Sequence, residues 1–212
     1  MIFENRQEAG KQLAQKLRKL VRDRPIILAL PRGGVPVGYE IARLLHAPLE
    51  VIVVRKIGAP DNSEFGIGAI AEGGIKILDE PVVEFIGLSK KELNKLIKKE
   101  EKELRRRVAI YRDNKQLSDL SGRTVIIVDD GLATGITARA AISSVKQKKP
   151  KQIIFAAPVC AYETIQDLGL LKDKVICLVA PRDMVAIGLW YQNFDQLSDK
   201  QVKEMLDNPM IK

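Results

Sequence analysis

The stretch that decides the fold is "RTVIIVDDGLATGIT", residues 123–137. Branched aliphatic side chains run into two adjacent aspartates, Asp129 and Asp130, and a loop of mostly small residues follows them. A short apolar run with polar flanks is typical of a buried strand, and the small residues after it predict a tight loop. The question is why a buried strand should end in two negative charges.

The sequence before this stretch alternates between helical and strand patterns. Apolar spacing predicts a helix over 4–22, a strand over 25–30, a second helix over 35–45 and a second strand over 49–57. A strand, a helix and a strand in this order form a βαβ unit, so the strands are expected to be parallel. The fold class is therefore α/β, an open and mostly parallel sheet flanked by helices.

The other predicted elements complete one sheet. Residues 59–74 are rich in Gly, Pro and small polar residues and predict a long loop, with a possible hairpin towards "IKILD". A helix over 89–115 is predicted to begin with a Ser89–Glu92 capping box, and a second helix is predicted over 137–147. Strands are predicted over 124–128, 152–159 and 174–180. Two more helices are predicted, one between the last two strands and one near the C-terminus.

The chain of 212 residues is expected to form a single domain over 1–212. The core is predicted over about 22–180. A small hood is expected from the N-terminal helix, from the tail 181–212, or from both. The sequence has no internal repeat and no low-complexity linker, so nothing in it indicates a second domain.

The positive charge is unevenly distributed. The formal net charge is +8, and residues 89–115 contain eleven Lys and Arg against five Asp and Glu. The predicted helix therefore carries most of the excess. Its first interpretation is a solvated face with i,i+4 ion pairs, and nucleic acid is not expected as a partner; an interface or a nucleic-acid surface is the alternative.

The remaining composition excludes several classes of protein. Cys160 and Cys177 lie in apolar runs and are expected to be buried reduced thiols, and His46 is expected at a helix end or on the surface. The N-terminal residues are too charged for a signal peptide, and no run has the roughly 20 apolar residues of a membrane span. The sequence therefore predicts a cytoplasmic protein without membrane association.

The opening question has an answer in the chemistry of sugar phosphates. Ligands of open α/β sheets bind beyond the C-terminal ends of the strands, where Asp129 and Asp130 are expected. The glycines that follow let backbone N–H groups approach an anion, the next helix presents its N-terminus, and Thr134 and Thr137 add hydroxyl groups. Carboxylates can accept hydrogen bonds from vicinal hydroxyls, so the pattern indicates a phosphorylated ribose.

At this point the sequence resembles a known family. "VIIVDDGLATGIT" looks like the phosphoribosyl-pyrophosphate (PRPP) motif of type I phosphoribosyltransferases, an aliphatic strand, two acidic residues and a small-residue loop. "PRGGVPVGYEIA", "VRKIGAPDNSEFGIGA" and "VAIGLWYQNF" together resemble a subgroup whose acceptor is generally unassigned. The resemblance covers about residues 25–195. It implies transfer of ribose 5-phosphate from PRPP to a nitrogenous base or similar small acceptor, with release of pyrophosphate, Mg²⁺ as cofactor and a homodimer.

The resemblance also assigns roles to individual residues. Asp129 and Asp130 would bind the ribose hydroxyls, directly or through Mg²⁺-bound water, and would be the metal site. Arg55 and Lys56 would act catalytically, with loop 57–71 closing over the site as a lid. The 5′-phosphate would bind to Gly131, Leu132, Ala133, Thr134, Gly135, Ile136 and Thr137; the pyrophosphate to Arg32, Gly33 and Gly34; the acceptor to Trp190, Tyr191 and Phe194.

Two departures from the family pattern narrow the acceptor. The enzymes for 6-oxopurines carry an acidic general base where this sequence has Ala133, and no Lys of the kind found in orotate enzymes occurs from Ile57 to Ile75. Hypoxanthine, guanine and orotate are therefore not expected. Two other functions stay open: a non-catalytic PRPP-sensing regulator that could bind RNA through helix 89–115, and a hydrolase that transfers the sugar phosphate to water.

Overall fold

A computed structural model describes residues 2–62, 65–169 and 174–208 of the chain. Its centre is a five-stranded parallel sheet with the strand order β2-β1-β6-β7-β8. The strands are β1 (Ile26–Ala29), β2 (Leu49–Val51), β6 (Thr124–Val128), β7 (Gln152–Val159) and β8 (Lys174–Val179). The parallel sheet of an α/β fold is therefore confirmed.

The strand that carries the acidic pair lies in the middle of this sheet. Every residue of β6 is buried, and β6 pairs with β1 on one side and with β7 on the other. A central parallel strand is covered on both faces, which is why its residues read as a continuous aliphatic run. The registers place Ala29 beside Val128, so the loops that follow β1 and β6 leave the same edge of the sheet as neighbours.

Seven helices are described. They are α1 (Arg6–Leu20), α2 (Gly34–Leu45), α3 (Glu80–Phe85), α4 (Lys90–Arg112), α5 (Ile136–Lys146), α6 (Tyr162–Gly169) and α7 (Asp199–Leu206). The predicted capping box of Ser89 and Glu92 starts α4, and His46 is the C-cap of α2 in a left-handed conformation. None of the helices in the described residues has both the length and the apolarity that crossing a membrane requires.

The region from 49 to 78 differs from the sequence prediction. The predicted single strand 49–57 divides into β2 and β3 (Val54–Gly58), which belong to different sheets. β3 pairs antiparallel with β4 (Gly66–Ala71), and β4 pairs with β5 (Ile75–Leu78). Residues 66–71 of the predicted long loop 59–74 therefore form a strand, and the possible hairpin towards "IKILD" is the part of that prediction that holds.

The glycines of β4 explain the error. A side chain at Gly68 would meet the carbonyl oxygen of Ile77 at 2.7 Å, and one at Gly66 would meet Lys56 Cδ at 2.8 Å. Glycine is needed here because neighbouring groups pack directly on the strand. The three-stranded antiparallel sheet, packed between α4 and α5, is the hood of the fold.

The hydrophobic core extends beyond the predicted limits of 22–180. Leu13 and Leu17 of α1 and Val202 and Leu206 of α7 lie in the main cluster, together with residues of β1, α2 and β6. The N-terminal helix and the C-terminal helix are thus core layers and not the hood, because their apolar faces need the cover of α2. Of the two cysteines, Cys160 is buried, Cys177 is half-buried, and both are free thiols.

Candidate active site

Two loops of small residues meet at the C-terminal edge of the parallel sheet. Residues 30–33 follow β1, and residues 129–135 follow β6. The N–H of Leu30 donates to the carbonyl oxygen of Val128 over 2.8 Å and extends the β1–β6 pairing into the first loop. The loops are therefore held against each other where ligands of open α/β sheets bind.

Asp130 is buried between these loops, with 9% of its surface exposed. Arg6 Nε donates to Asp130 Oδ2 over 2.7 Å, and the hydroxyl of Tyr191 donates to the backbone oxygen of Asp130 over 2.6 Å. A Cβ at Gly33 would lie 1.9 Å from Asp130 Oδ2. The first loop thus packs directly on the carboxylate, and only glycine fits there.

The other carboxyl group of the pair, Asp129, has a raised pKa. Burial raises the pKa of Asp129 well above its ordinary value, and the negative charge of Asp130 raises it further. Its Oδ1 accepts the backbone N–H of Asp130 over 2.9 Å, which partly offsets both effects. When the pKa of a carboxyl group is raised in this way, a cation or hydrogen-bond donors placed beside it stabilise its charged form.

Arg6 was missed in the sequence, although it is the group that neutralises Asp130. It lies at the start of α1, its Nη1 donates to the backbone oxygen of Asp195 over 2.9 Å, and its guanidinium carbon lies 3.8 Å from the ring centre of Phe194. The side chain therefore links the acidic pair to the C-terminal tail. A single arginine in an amphipathic helix gives no signal of such a contact 124 residues away.

The second loop leads into α5. The N–H of Leu132 donates to the carbonyl oxygen of Val159 at the end of β7, and the N–H of Ala161 donates to the carbonyl oxygen of Leu132. The start of the loop is therefore fixed to the sheet. The hydroxyl of Thr164 donates to the carbonyl oxygen of Ala133 over 2.5 Å. Thr164 is a second residue that the sequence analysis missed.

The end of this loop presents the helix N-terminus. Gly135 is the N-cap of α5 with φ +78°, and the N–H of Arg139 bonds to its carbonyl oxygen. The N–H groups of the first turn, from Ile136, precede that bond and have no partner within the helix. Thr134 is exposed, and Thr137 is half-buried. These groups can bind an anion with hydroxyl and backbone donors.

The first loop places Arg32 at the rim of the same edge. The peptide bond between Pro31 and Arg32 is cis. Arg32 Nη1 lies 4.0 Å from Asp199 Oδ1, and about a third of the Arg32 side chain is exposed. A Cβ at Gly34 would lie 2.5 Å from the carbonyl oxygen of Val128, so this residue too is confined by the strand end. Gly33 and Gly34 are thus brought to the acidic pair, while the side chain of Arg32 lies near Asp199 of α7.

Arg55 and Lys56 have other contacts. Arg55 Nη2 lies 2.8 Å from Glu100 Oε2 on α4, and the aliphatic part of Lys56 packs across Gly66. Both residues are on β3, a strand of the hood, and not on a loop. The lid predicted over 57–71 is likewise mostly strand: Gly66–Ala71 is β4, with a buried face, and residues 63 and 64 lie outside the described residues.

The tail aromatics lie behind the acidic pair. Tyr191 is buried, its ring lies 5.0 Å from that of Phe194 and 5.5 Å from that of Phe3, and Trp190 is half-buried. Burial raises the pKa of Tyr191, and the charge of Asp130 adds to this effect. Tyr191 and Phe194 are thus occupied in supporting Arg6 and Asp130.

Comparisons with known proteins agree with this architecture. The family model described as "Phosphoribosyl transferase domain" matches residues 2–178. A Mycobacterium tuberculosis protein with a provisional phosphoribosyl transferase name is 39% identical over 206 residues, which are 97% of this chain and 46% of that protein. The chain thus spans about half the length of this relative.

Two further similarities differ in extent. A crystal structure of a Thermus thermophilus protein has 37% identity and a TM-score of 0.79, and the match covers 97% of this chain and 98% of that one. A uracil phosphoribosyltransferase of Staphylococcus saprophyticus is 31% identical over 86 residues, 36% of this chain and 41% of that protein. From its fold, its paired loops and these relatives, the chain belongs to the phosphoribosyl transferase family.

Proposed function

We propose that the protein transfers ribose 5-phosphate from PRPP to a nitrogenous base or similar small acceptor. The observation that carries this proposal is the acidic pair at the end of β6, of which Asp130 is buried and Asp129 half-buried, with a glycine loop packed on it and a helix N-terminus at the end of the loop that follows it. In the reaction the bond between ribose C1 and the pyrophosphate oxygen breaks, and pyrophosphate leaves with the electron pair. An acceptor nitrogen forms the new bond to C1 and loses its proton.

The 5′-phosphate is assigned to the loop from Gly131 to Thr137. Backbone N–H groups at the start of α5 and the exposed hydroxyl of Thr134 supply donors, and the positive end of the helix dipole favours the dianion. Thr164, through its bond to Ala133, holds the loop in place before the ligand arrives. Such pre-positioning lowers the entropic part of the barrier.

The ribose hydroxyls are assigned to Asp129 and Asp130. Hydroxyl donors beside Asp129 stabilise the charge that burial disfavours there. Arg6 neutralises Asp130 and leaves the pair with a smaller net charge next to an anionic ligand. The positive charge that develops on the ribose in an oxocarbenium-like transition state lies next to the same two carboxylates.

The leaving pyrophosphate is assigned to the first loop. Arg32 has only a 4.0 Å contact with Asp199 to exchange, so its guanidinium can turn to a phosphate at small cost. Gly33 and Gly34 keep the loop close to the acidic pair, which brings the pyrophosphate and the ribose within one ligand's length. Arg55 and Lys56 of the hood are proposed to reach the pyrophosphate when it binds, which requires Arg55 to leave Glu100.

Mg²⁺ fits the donors at this edge of the sheet. The described residues contain no group of three or more potential metal-ligating side chains, but Mg²⁺ characteristically uses one or two carboxylates, several waters and substrate phosphates. Asp129 and Asp130 would hold it through water. When bound, the ion would neutralise charge on the departing pyrophosphate.

The acceptor is proposed to be a nucleobase without the acid–base requirement of 6-oxopurines. The position that would hold the general base is Ala133, whose carbonyl oxygen is already bonded to Thr164. The local similarity to a uracil phosphoribosyltransferase supports a pyrimidine as the first acceptor to test. Trp190 is half-buried and precedes Tyr191, which bonds to Asp130. Of the three tail aromatics, it remains the one proposed to contact the base. A homodimer is part of this proposal.

The test has two stages. Calorimetric titration with PRPP, with and without Mg²⁺, measures the sugar-phosphate site, and Mg²⁺-dependent binding is expected. A coupled assay for pyrophosphate release with uracil, adenine and other bases then measures transfer. PRPP binding without release in the presence of any base would favour the sensing regulator, base-independent release of ribose 5-phosphate would indicate a hydrolase, and absence of PRPP binding would refute the proposal.

A further inference from the structure

The outer face of α4 is dominated by basic side chains, with Asn94 exposed among them. Six residues form this basic face, all of them exposed: Lys91, Lys95, Lys98, Lys99, Lys102 and Arg105. Five of them follow each other at alternating steps of four and three residues, which places them in one row along the helix. From Lys91 to Arg105 the row is about 21 Å long at the helical rise of 1.5 Å per residue.

The acidic residues of α4 do not balance this face. Glu100 bonds to Arg55 and Glu101 to Lys76, both on the hood sheet, and Glu92 closes the capping box. Glu103 bonds to Arg106 and Arg107. In the described part of the chain, none of the six basic-face residues forms an ion pair within 4.0 Å.

This distribution differs from an ordinary solvated helix face. Solvated faces commonly alternate Glu and Lys because like charges three or four residues apart destabilise the helix. Here the like charges are neighbours along the row. Glu101 lies near Lys98 and Arg105 and offsets only part of their repulsion, because its hydrogen bond goes to Lys76 of the hood. An anionic partner relieves the remaining repulsion, and a partner with regularly spaced charges relieves it along the full row.

A second feature lies directly before the helix. Phe85, the last residue of α3, is 90% exposed and precedes the N-cap of α4 by four residues. An exposed aromatic ring at the start of a basic helix is a combination suited to single-stranded nucleic acid, because a base can stack on the ring while phosphates contact the lysines. An acidic protein would use the charges but has no base to stack on Phe85.

Two other partners fit the face less well. A membrane-surface helix needs an apolar face to insert, and the apolar side of α4 is packed on the hood, with Ile97 buried and Leu93 and Leu96 against the same cluster. A second copy of the chain in a two-fold dimer would place the same basic patch against itself. Binding to a membrane would require α4 to leave the hood, and a two-fold dimer would leave the positive charges uncompensated.

We propose that the basic face of α4, with Phe85, binds a single-stranded nucleic acid through its phosphate backbone. This surface is separate from the acidic pair, so the proposal does not depend on catalysis. It takes up the alternative that the sequence left open for this helix, a nucleic-acid surface, because most of the helix's glutamates form hydrogen bonds or ion pairs with residues outside the basic face.

The experiment measures fluorescence anisotropy of a labelled 20-nucleotide single-stranded RNA of mixed sequence at several salt concentrations. Binding should weaken with salt, and the triple variant K95Q/K98Q/K102Q should bind at least tenfold more weakly with a salt slope shallower by about 2, since each phosphate contact contributes about 0.7. The matched control K11Q/K19Q/K148Q removes the same charge at exposed positions elsewhere and should lose less than twofold.

Phe85→Ala separates stacking from charge. It should weaken RNA binding about fivefold without changing the salt slope, since a stacked base contributes no counterion release. Circular dichroism and thermal melting establish that each variant is folded, and calorimetry with PRPP should give the wild-type result for all of them. That result separates failure of this proposal from failure of the proposed function.

Several outcomes would overturn the proposal. If the lysine variant and its control lose the same amount of RNA affinity, the binding depends on net charge and not on the basic face of α4. Displacement of the RNA by inorganic pyrophosphate would place it on the phosphate loops. Tighter binding of polyglutamate than of RNA would identify an acidic protein as the partner, and binding to phosphatidylserine vesicles without RNA binding would identify a membrane surface.

Discussion

The two loops at the edge of the parallel sheet are both made of small residues, but they differ in the groups that they leave exposed. In the first loop the space around Gly33 and Gly34 is already filled by protein, by the carboxylate of Asp130 and the carbonyl of Val128. In the second loop, Thr134 is exposed and the first N–H groups of α5 have no partner within the helix. The glycines of the second loop are packed as well, since a Cβ at Gly131 would lie 2.5 Å from Ile187 Cγ2 and one at Gly135 would lie 2.6 Å from Thr164 Cγ2. The second loop differs in that it also leaves hydrogen-bond donors exposed.

The difference separates residues that build the site from those that bind in it. A substitution in the first loop should disturb both the acidic pair and the stability of the protein. A substitution of a donor in the second loop should change ligand affinity alone. The experiments below test this separation, beginning with the largest expected effect.

Gly33→Ala should have the largest effect. The added Cβ would lie 1.9 Å from Asp130 Oδ2, so either the carboxylate or the loop must move. We expect PRPP affinity to fall at least 50-fold and overpacking to lower the free energy of unfolding by about 1–3 kcal/mol. Calorimetry and chemical denaturation measure the two effects.

Gly74→Ala is the control for Gly33→Ala. It introduces strain at φ +77° on the hood, where a Cβ meets nothing within 4 Å. It should reduce stability without changing the affinity for PRPP. If both variants lose stability but keep their affinity, the first loop does not form the site.

Asp130→Asn should come next, with at least tenfold weaker binding or turnover of PRPP and an intact fold. The substitution removes the charge that pairs with Arg6 and one of two carboxylates assigned to the ribose. A tenfold change corresponds to about 1.4 kcal/mol. Titration with and without Mg²⁺ should also show a smaller Mg²⁺ effect than in the wild type; unchanged kinetics would remove the aspartates from the site.

Acidification should weaken PRPP binding at a higher pH than an ordinary aspartate would allow. The folded pKa of Asp129 is raised by burial and by Asp130, so Asp129 takes up a proton as the pH falls through that raised value. The protonated form has lost the charge that attracts Mg²⁺. Calorimetry between pH 8 and pH 4 measures the loss, and an affinity that is constant over this range would contradict it.

Thr134→Val should have a moderate and purely local effect. Loss of one hydrogen bond to a charged phosphate costs about 1.5 kcal/mol, roughly tenfold in the affinity for ribose 5-phosphate. Because Thr134 is exposed, the melting temperature should not change. Thr164→Val is the informative companion, because it removes the bond that fixes Ala133 and should lower both affinity and stability.

Glu103→Gln should have the smallest effect, and on stability alone. Hydrogen bonds from Arg106, and then from Arg107, lower the pKa of Glu103 to about 2. The carboxylate therefore stabilises the fold above its unfolded pKa of about 4.3, and this contribution disappears as the pH falls towards 2. We expect a loss of about 0.5 kcal/mol at pH 7 for this partly exposed pair. A variant as destabilised at pH 2.5 as at pH 7 would contradict the assignment.

The sequence was sufficient for the parallel sheet because each of its strands is a local apolar run. It was insufficient for residues 49–57, where one apolar run serves two sheets. Apolar periodicity cannot show that the pairing with β1 ends after Ile52, whose N–H still donates to Ala29 over 3.1 Å, and that Val54 joins the hood. It also could not distinguish glycines that make a loop from Gly66 and Gly68, which admit close neighbours within a strand.

The contiguous parts of the site were predicted, and the isolated parts were not. Asp129, Asp130 and the loop to Thr137 form one local motif, and the structure brings the first loop against it. Arg6 and Thr164 reach the motif from distant elements as single residues, which no spacing pattern reveals. Tyr191 was predicted for the acceptor, and its bond to the backbone of Asp130 was not foreseen. The pairing of Arg55 with Glu100 is also a long-range contact, so its position away from the acidic pair was not readable.

The order of strands in the central sheet has a consequence for folding. β1 and β6 are neighbours, yet the paired residues Ala29 and Val128 are separated by nearly a hundred positions that include the whole hood. Contacts between distant parts of a chain form late because the intervening loop must first lose entropy. The hood strands pair locally around their own cluster, so we expect them to acquire hydrogen-exchange protection before β1 and β6 do. The two loops of the candidate site, residues 30–33 and 129–135, would then be among the last parts of the molecule to form.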